Sequence, residues 1–233
     1  WRGPFFGVVA LMAIAFIAVA VLLRGPKEKR SPVPLSAPFR ALGKPALAVL
    51  AVAALFYNIG FFTLLAFSPF PLGFGAMGIG FTFFGWGVAL AITSVWVAPL
   101  LLRRFTRSGV MLVVLPLLAI DLVVGGILVA SSAALVTCIV VGGLLLGVMN
   151  TVLTEAVMEA TDLPRAVASS AYSAVRFLGG AAAPPLAAWL WHASNATVPY
   201  LVAAASIVIA ALTIALGRRA LRRIDERPAD TAE

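Results

Sequence analysis

Long apolar runs separated by short polar breaks dominate the chain, and within a run polar and apolar positions do not alternate. Seven windows, 3–23, 46–67, 76–102, 109–130, 133–158, 166–190 and 198–217, each supply roughly the 20 apolar residues that a transmembrane helix needs. Barrel strands are only about 10 residues long and alternate in polarity, so strands are excluded. The pattern predicts an all-α polytopic membrane protein with seven transmembrane helices. Between the first two windows, 24–45 holds Pro26, Pro32, Pro34, Pro38 and Pro45, which forbids a continuous helix and predicts a linker. The six remaining windows form a compact group, 46–217, followed by a tail, 218–233. As 46–130 and 133–217 are similar in length and enter the membrane from opposite sides, they suggest an inverted repeat of three plus three helices.

Composition agrees with this reading: 62% of residues are hydrophobic and 11% charged, against about 25% charged in soluble domains. The formal charge is +8. Its placement matters more than its size. Arg24, Lys27, Lys29, Arg30, Arg40 and Lys44, then Arg103, Arg104 and Arg107, then Arg165, then Arg218, Arg219, Arg222, Arg223 and Arg227 occupy every second connection, and the intervening ones hold no Lys or Arg. The positive-inside rule makes the basic side cytoplasmic, so the C-terminus is expected in the cytoplasm. Bases that sit between spans, without a helix-turn-helix or RNA-binding signature, argue against nucleic acid as a partner. The single cysteine, Cys138, excludes an intramolecular disulfide and a cysteine metal cluster. The first run follows Trp1 almost at once. It is too long for the apolar region of a signal peptide and leads into basic residues, so it is expected to be a true span of a chain lacking its N-terminal part.

Candidate chemistry lies where the apolar runs admit charge. Asp121 sits near the middle of its span, where a carboxylate costs about 2.5–3.5 kcal/mol on insertion scales. It either titrates a proton or makes a hydrogen bond that specifies packing. In the fifth span Gly147, Thr151 and Glu155 recur every four residues and share a helix face, with Asn150 and Thr154 beside them. In the sixth, Tyr172, Ser173, Arg176 and Gly180 make a matching stripe. Counted from the break near Leu163, Glu155 lies ~12 Å and Arg176 ~20 Å deep at 1.5 Å per residue, a difference that a long arginine can span. Two readings stand. In one, Glu155 and Arg176 form a coupled pair lining a polar cavity. In the other, they are a static pair fixing helix packing, or Glu155 is simply solvated near the cytoplasm. Tyr57, Asn58 and Thr63 add polar groups to the second span, and the glycines of the third, including Gly85 and Gly87, suggest close helix approach.

The runs 57–73 (YNIGFFTLLAFSPFPLG), 84–89 (FGWGVA), 150–157 (NTVLTEAV) and 171–180 (AYSAVRFLGG) resemble major facilitator superfamily exporters of the drug/proton antiporter type, closest to bacterial multidrug or bacillibactin-type siderophore exporters. The resemblance covers essentially the whole chain and implies the sixth helix, central cytoplasmic loop and C-terminal six helices of a twelve-helix fold. It implies that spans two and five line the central cavity, three and six flank the interface between halves, and one, four and seven are peripheral. Tyr57, Asn58, Asn150, Thr151 and Thr154 are then expected to line the cavity with Tyr172 at its flank, Glu155 to be a candidate coupling acid, and Asp121 to be peripheral. The loop 102–109 resembles a decayed copy of the family's basic signature; with no acidic partner inside it, a positive-inside anchor is the expected role.

The resulting expectation is a secondary transporter of the bacterial plasma membrane, exporting small amphipathic compounds, drugs or siderophore-like molecules, in exchange for protons by alternating access. Its partners would be the substrate, protons, the bilayer and an N-terminal half outside this sequence. No nucleotide-binding loop is present, and no cofactor, metal or enzymatic activity is expected. The alternatives are a seven-helix receptor or a non-transport integral membrane protein. The last span has no Lys for a retinal Schiff base, and the lone His192, beside Trp189 and Trp191, reads as an interfacial residue rather than a catalyst.

Overall fold

A computed structural model describes residues 2–22, 34 and 36–226. Half of the expected linker, 24–33 and 35, with residues 1 and 23 and the end of the tail, 227–233, lies outside the described residues. Two units are distinguished, 1–34 and 35–233. The first holds α1 (Arg2–Leu22), whose mean hydropathy over Phe5–Leu22 is 2.9, well above what spanning a membrane demands.

The described residues of the second unit form helices joined by short turns, with no strand among them. Its long helices are α3 (Pro45–Phe67), α5 (Ala76–Ile92), α7 (Arg107–Ile127), α8 (Ser132–Glu159), α9 (Arg165–Ala193) and α10 (Thr197–Leu216), with short α2 (Ala37–Ala41), α4 (Pro69–Leu72), α6 (Ala98–Leu102) and α11 (Arg218–Asp225). Local chemistry sets the ends. Pro45 occupies the first turn of α3, where its missing N–H costs nothing. The Thr106 hydroxyl accepts from the Gly109 amide at 3.2 Å and starts α7, and Ser131 caps α8 in the same way through Ala134. Gly73, at φ 63°, closes α4 in the left-handed region that favours glycine. A π-helical turn, Thr93–Val97, joins α5 to α6, so the third expected span is one rod with a local bulge.

Among the described residues, six helices or joined pairs of helices, α1 included, are long and apolar enough to cross a membrane. The chain is therefore an all-α polytopic membrane protein. The expected seventh span is α9, whose 29 residues reach ~44 Å at 1.5 Å per residue. It stays outside that apolar set because Arg176 and its hydroxylated neighbours lower its hydropathy. The linker expectation needs one correction: α2 is a packed helical turn whose Ala41 is fully buried.

The helices of the second unit follow a simple order of packing. α3 lies against α9 on one side and α10 on the other; α10 also packs on α7, α7 on α8, and α8 on α5. Exchanging the triplets α3, α5, α7 and α8, α9, α10 leaves this set of contacts unchanged: α3 with α9 becomes α8 with α5, and α3 with α10 becomes α8 with α7. The contacts thus have the exchange symmetry that a repeat of three plus three helices calls for. The residues of the two triplets do not match, for a visible reason. At the α3–α9 crossing the small residues are Gly179 and Gly180 on α9, whereas at the equivalent α8–α5 crossing they are Gly143 and Gly147 on α8. Each crossing needs one small partner for close approach, and either helix can supply it.

One end of this bundle is aromatic. Phe67, Phe70, Trp191 and Tyr200 pack ring on ring with His192 stacked on Trp191, and the Tyr200 hydroxyl bonds Ser68 at 2.8 Å. The other end gathers the basic connections. Such a pairing of aromatic and basic termini is what a membrane-spanning bundle presents at its two interfaces.

Candidate functional site

Three helices converge on one guanidinium. Arg176 of α9 donates from Nη2 to Asn150 Oδ1 of α8 at 3.0 Å and from Nε to Asn58 Oδ1 of α3 at 3.3 Å. Asn150 Oδ1 also accepts from the Tyr57 hydroxyl at 3.3 Å, and Asn58 in turn donates to the Ala54 carbonyl at 2.8 Å. Rings of Tyr172 and Phe177 lie 5.9 and 5.5 Å from the guanidinium carbon, close enough for cation–π attraction. Among the described residues, no carboxylate forms an ion pair with Arg176. Its charge is held by amide oxygens and rings alone, in an otherwise apolar bundle.

The local order of helices explains this assembly. α3 lies next to both α8 and α9, so a long side chain leaving α9 toward α8 passes over α3 first. Tyr57 and Asn58 are fully buried. They were expected to line the cavity; the structure buries both beneath the relay, and Tyr172 is likewise buried. Asn150 is partly exposed and Thr154, one turn along the same face, is exposed. Those two with Arg176 form the open polar surface.

The expected pairing of Glu155 with Arg176 is not formed. Glu155 instead accepts from Arg107 Nη2 at 2.6 Å and Nε at 3.0 Å. Glu155 lies five residues beyond Asn150 toward the basic end, ~7.5 Å along the helix, and at that level the neighbour of α8 is the first turn of α7. Arg107 is 6% exposed and also donates to the Ile224 carbonyl at 2.7 Å, while Ser108 binds the Asp225 carboxylate through its amide, at 3.0 Å, and its hydroxyl. The anchor role expected for this loop is therefore corrected for Arg107. It has acidic company, supplied by α8 and α11 rather than by its own loop, which is why spacing within 102–109 concealed it.

Thr151 also departs from its expected place. Gly147 comes so near α5 that an added Cβ would strike Thr93 Oγ1 and the Leu90 carbonyl. That approach turns the Gly147–Thr151 face toward the π-helical turn, where Ser94 Oγ donates to the Gly147 carbonyl at 3.0 Å and Thr151 Oγ1 bonds the same carbonyl at 3.2 Å. The face serves packing. Asp121 joins neither cluster: it is buried between α7 and α8, beside the Cys138 thiol, with Oδ2 close to Gly142 and without a hydrogen-bond partner among the described residues.

No family profile matches the chain. It is 42% identical over 224 residues, 96% of its length, to a protein of Bacillus subtilis (strain 168) named multidrug efflux protein YfmO, and it spans 57% of that relative.

Proposed function

We propose that this homologue of a multidrug efflux protein is the C-terminal portion of a major facilitator superfamily exporter, which moves small amphipathic compounds out of a bacterial cell in exchange for protons. In this reading α1 is the sixth helix of twelve, 24–45 is the cytoplasmic connection between halves, and α3 to α10 form the second half. Alternating access then requires the N-terminal half, whose helices would face the open surface of Asn150, Thr154 and Arg176. The basic end, with Arg107 and α11, is the cytoplasmic one by the positive-inside rule.

The observation that carries the reading is the Arg176 relay. A guanidinium kept in an apolar bundle without a carboxylate is costly, and its fork of donors suits a substrate with an anionic or strongly accepting group beside an aromatic body. Asn150 and Asn58 orient the fork, and the rings of Tyr172 and Phe177 shape its apolar surround. Substrate displacing Asn150 from Arg176 would loosen the contact between α8 and α9. At the basic end of α8, protonation of Glu155 would release Arg107, which also holds α11. One helix, α8, thus connects a substrate-sensitive contact to a proton-sensitive one.

The test is dye efflux with simultaneous proton flux from proteoliposomes of the full-length exporter. Arg176→Gln is expected to lower efflux at least tenfold, and Glu155→Gln to leave substrate binding intact while abolishing proton-driven uphill transport. Full proton-coupled activity in both variants would refute the reading.

A further inference from the structure

The basic end of the bundle holds a cavity of about 440 Å³ that the relay and the Arg107 contacts do not use. Its size falls within the range of small-molecule sites, about 300–1,000 Å³. The wall is built by the start of α3, the connection from α8 to α9, and α11. Three cations line it: Lys44, Arg219 and Arg223. None of the three side chains makes a hydrogen bond or ion pair with another described residue. Glu159 and Asp162 also reach the wall, but both are engaged in interactions of their own.

The surroundings fix this arrangement in place. α11 turns its apolar positions inward, with Leu221 and Ile224 buried, so Arg219 and Arg223, four residues apart, share a side of the helix. The Arg107 and Ser108 bonds to Ile224 and Asp225 fasten the far end of α11. Opposite it, Lys44 precedes the first turn of α3, whose leading amides have no helical acceptor and add positive potential. The cavity lies at the basic end of the bundle, where the apolar spans α3, α8 and α10 end.

We propose that this cavity binds a phosphate group, presented either by an anionic phospholipid headgroup or by a soluble phosphate ester. The proposal is independent of the export reading. Three cations outnumber the two carboxylates of the wall and none of the three side chains pairs with a described residue, so the wall carries an excess positive charge that concentrates an anion. Basic pockets between transmembrane helices at the membrane surface suit phospholipid headgroups. A headgroup seated there would contact α3, the α8–α9 connection and α11 together.

The test titrates the full chain, purified in detergent, with dioleoyl-phosphatidylglycerol and separately with glycerol 3-phosphate, counting bound molecules by native mass spectrometry. Arg219→Gln with Arg223→Gln is expected to weaken binding about 25-fold, since each cation near the surface contributes on the order of a factor of five. The pair Arg218→Gln with Arg222→Gln removes the same charge from α11 outside the cavity and is expected to change binding less than threefold. Lys44→Gln, on another element, should weaken it severalfold even if α11 is altered in the arginine variants. Binding of phosphatidylglycerol alone identifies a lipid site; displacement of it by millimolar glycerol 3-phosphate identifies a soluble phosphate ester. Both support the proposal. Equal loss in the two arginine pairs, no effect of Lys44→Gln, or no binding of either probe would overturn it.

Discussion

Arg176 and Glu155 illustrate what a residue type reveals and what it does not. That both belong to the protein interior follows from their place in apolar runs, because a charge facing lipid is too expensive to retain. Their partners depend on which helices are adjacent, and sequence spacing is silent on that: Arg176 finds Asn150 and Asn58, and Glu155 finds Arg107 across 48 residues. A double-mutant cycle on Arg107→Gln and Glu155→Gln, read by thermal unfolding in detergent, should return a coupling of about 1–3 kcal/mol, as expected for contacting charged residues. The same cycle on Arg176 and Glu155 should return nothing measurable. Asp121 supplies a third residue-scale expectation. Enclosed by Cys138, Gly142 and Leu64 and apart from the relay, it should tolerate Asp121→Asn with efflux within twofold of the native protein.

At the scale of elements, the apolar windows came within a few residues of the helix ends, while the local devices that set them, Pro45, Thr106, Ser131 and Gly73, appear only in the structure. Helix crossings were readable only in part. Glycines announced close approach, yet which of them meet a neighbour depends on how each helix is rotated. A Cβ at Gly179 would run into the Leu55 carbonyl, whereas one at Gly87 meets nothing within 4 Å. Gly179→Ala should therefore destabilise the bundle by about 1–3 kcal/mol through overpacking. Gly87→Ala should be neutral or stabilise by up to about 1 kcal/mol through helix propensity. Thermal unfolding of the two variants side by side checks both signs. The π-helical turn at Thr93–Val97 had no sequence signal, since the hydroxyls that favour it, Thr93 and Ser94, resemble any other small polar residues in a span.

At the scale of the molecule, the symmetric pairing of α3, α5, α7 with α8, α9, α10 was legible from window lengths even where side chains differ. The placement of the polar surface was not, because it depends on the rotation of α8. On that helix Gly147, Thr151 and Glu155 turn toward α5 and α7, leaving Asn150 and Thr154 to meet Arg176 and open space. The central claim is that this surface lines a water-accessible cavity rather than facing lipid. It is tested most directly by replacing Cys138 with serine and comparing two introduced cysteines at similar depth from the basic end: Thr154→Cys, five residues from the end of α8, and Val113→Cys, six residues into α7 and exposed on its outer side. With the full-length exporter in membranes, a water-soluble maleimide should label Thr154→Cys at least tenfold faster than Val113→Cys, and a transported dye should slow only the former. Equal and slow labelling at both positions would contradict the account.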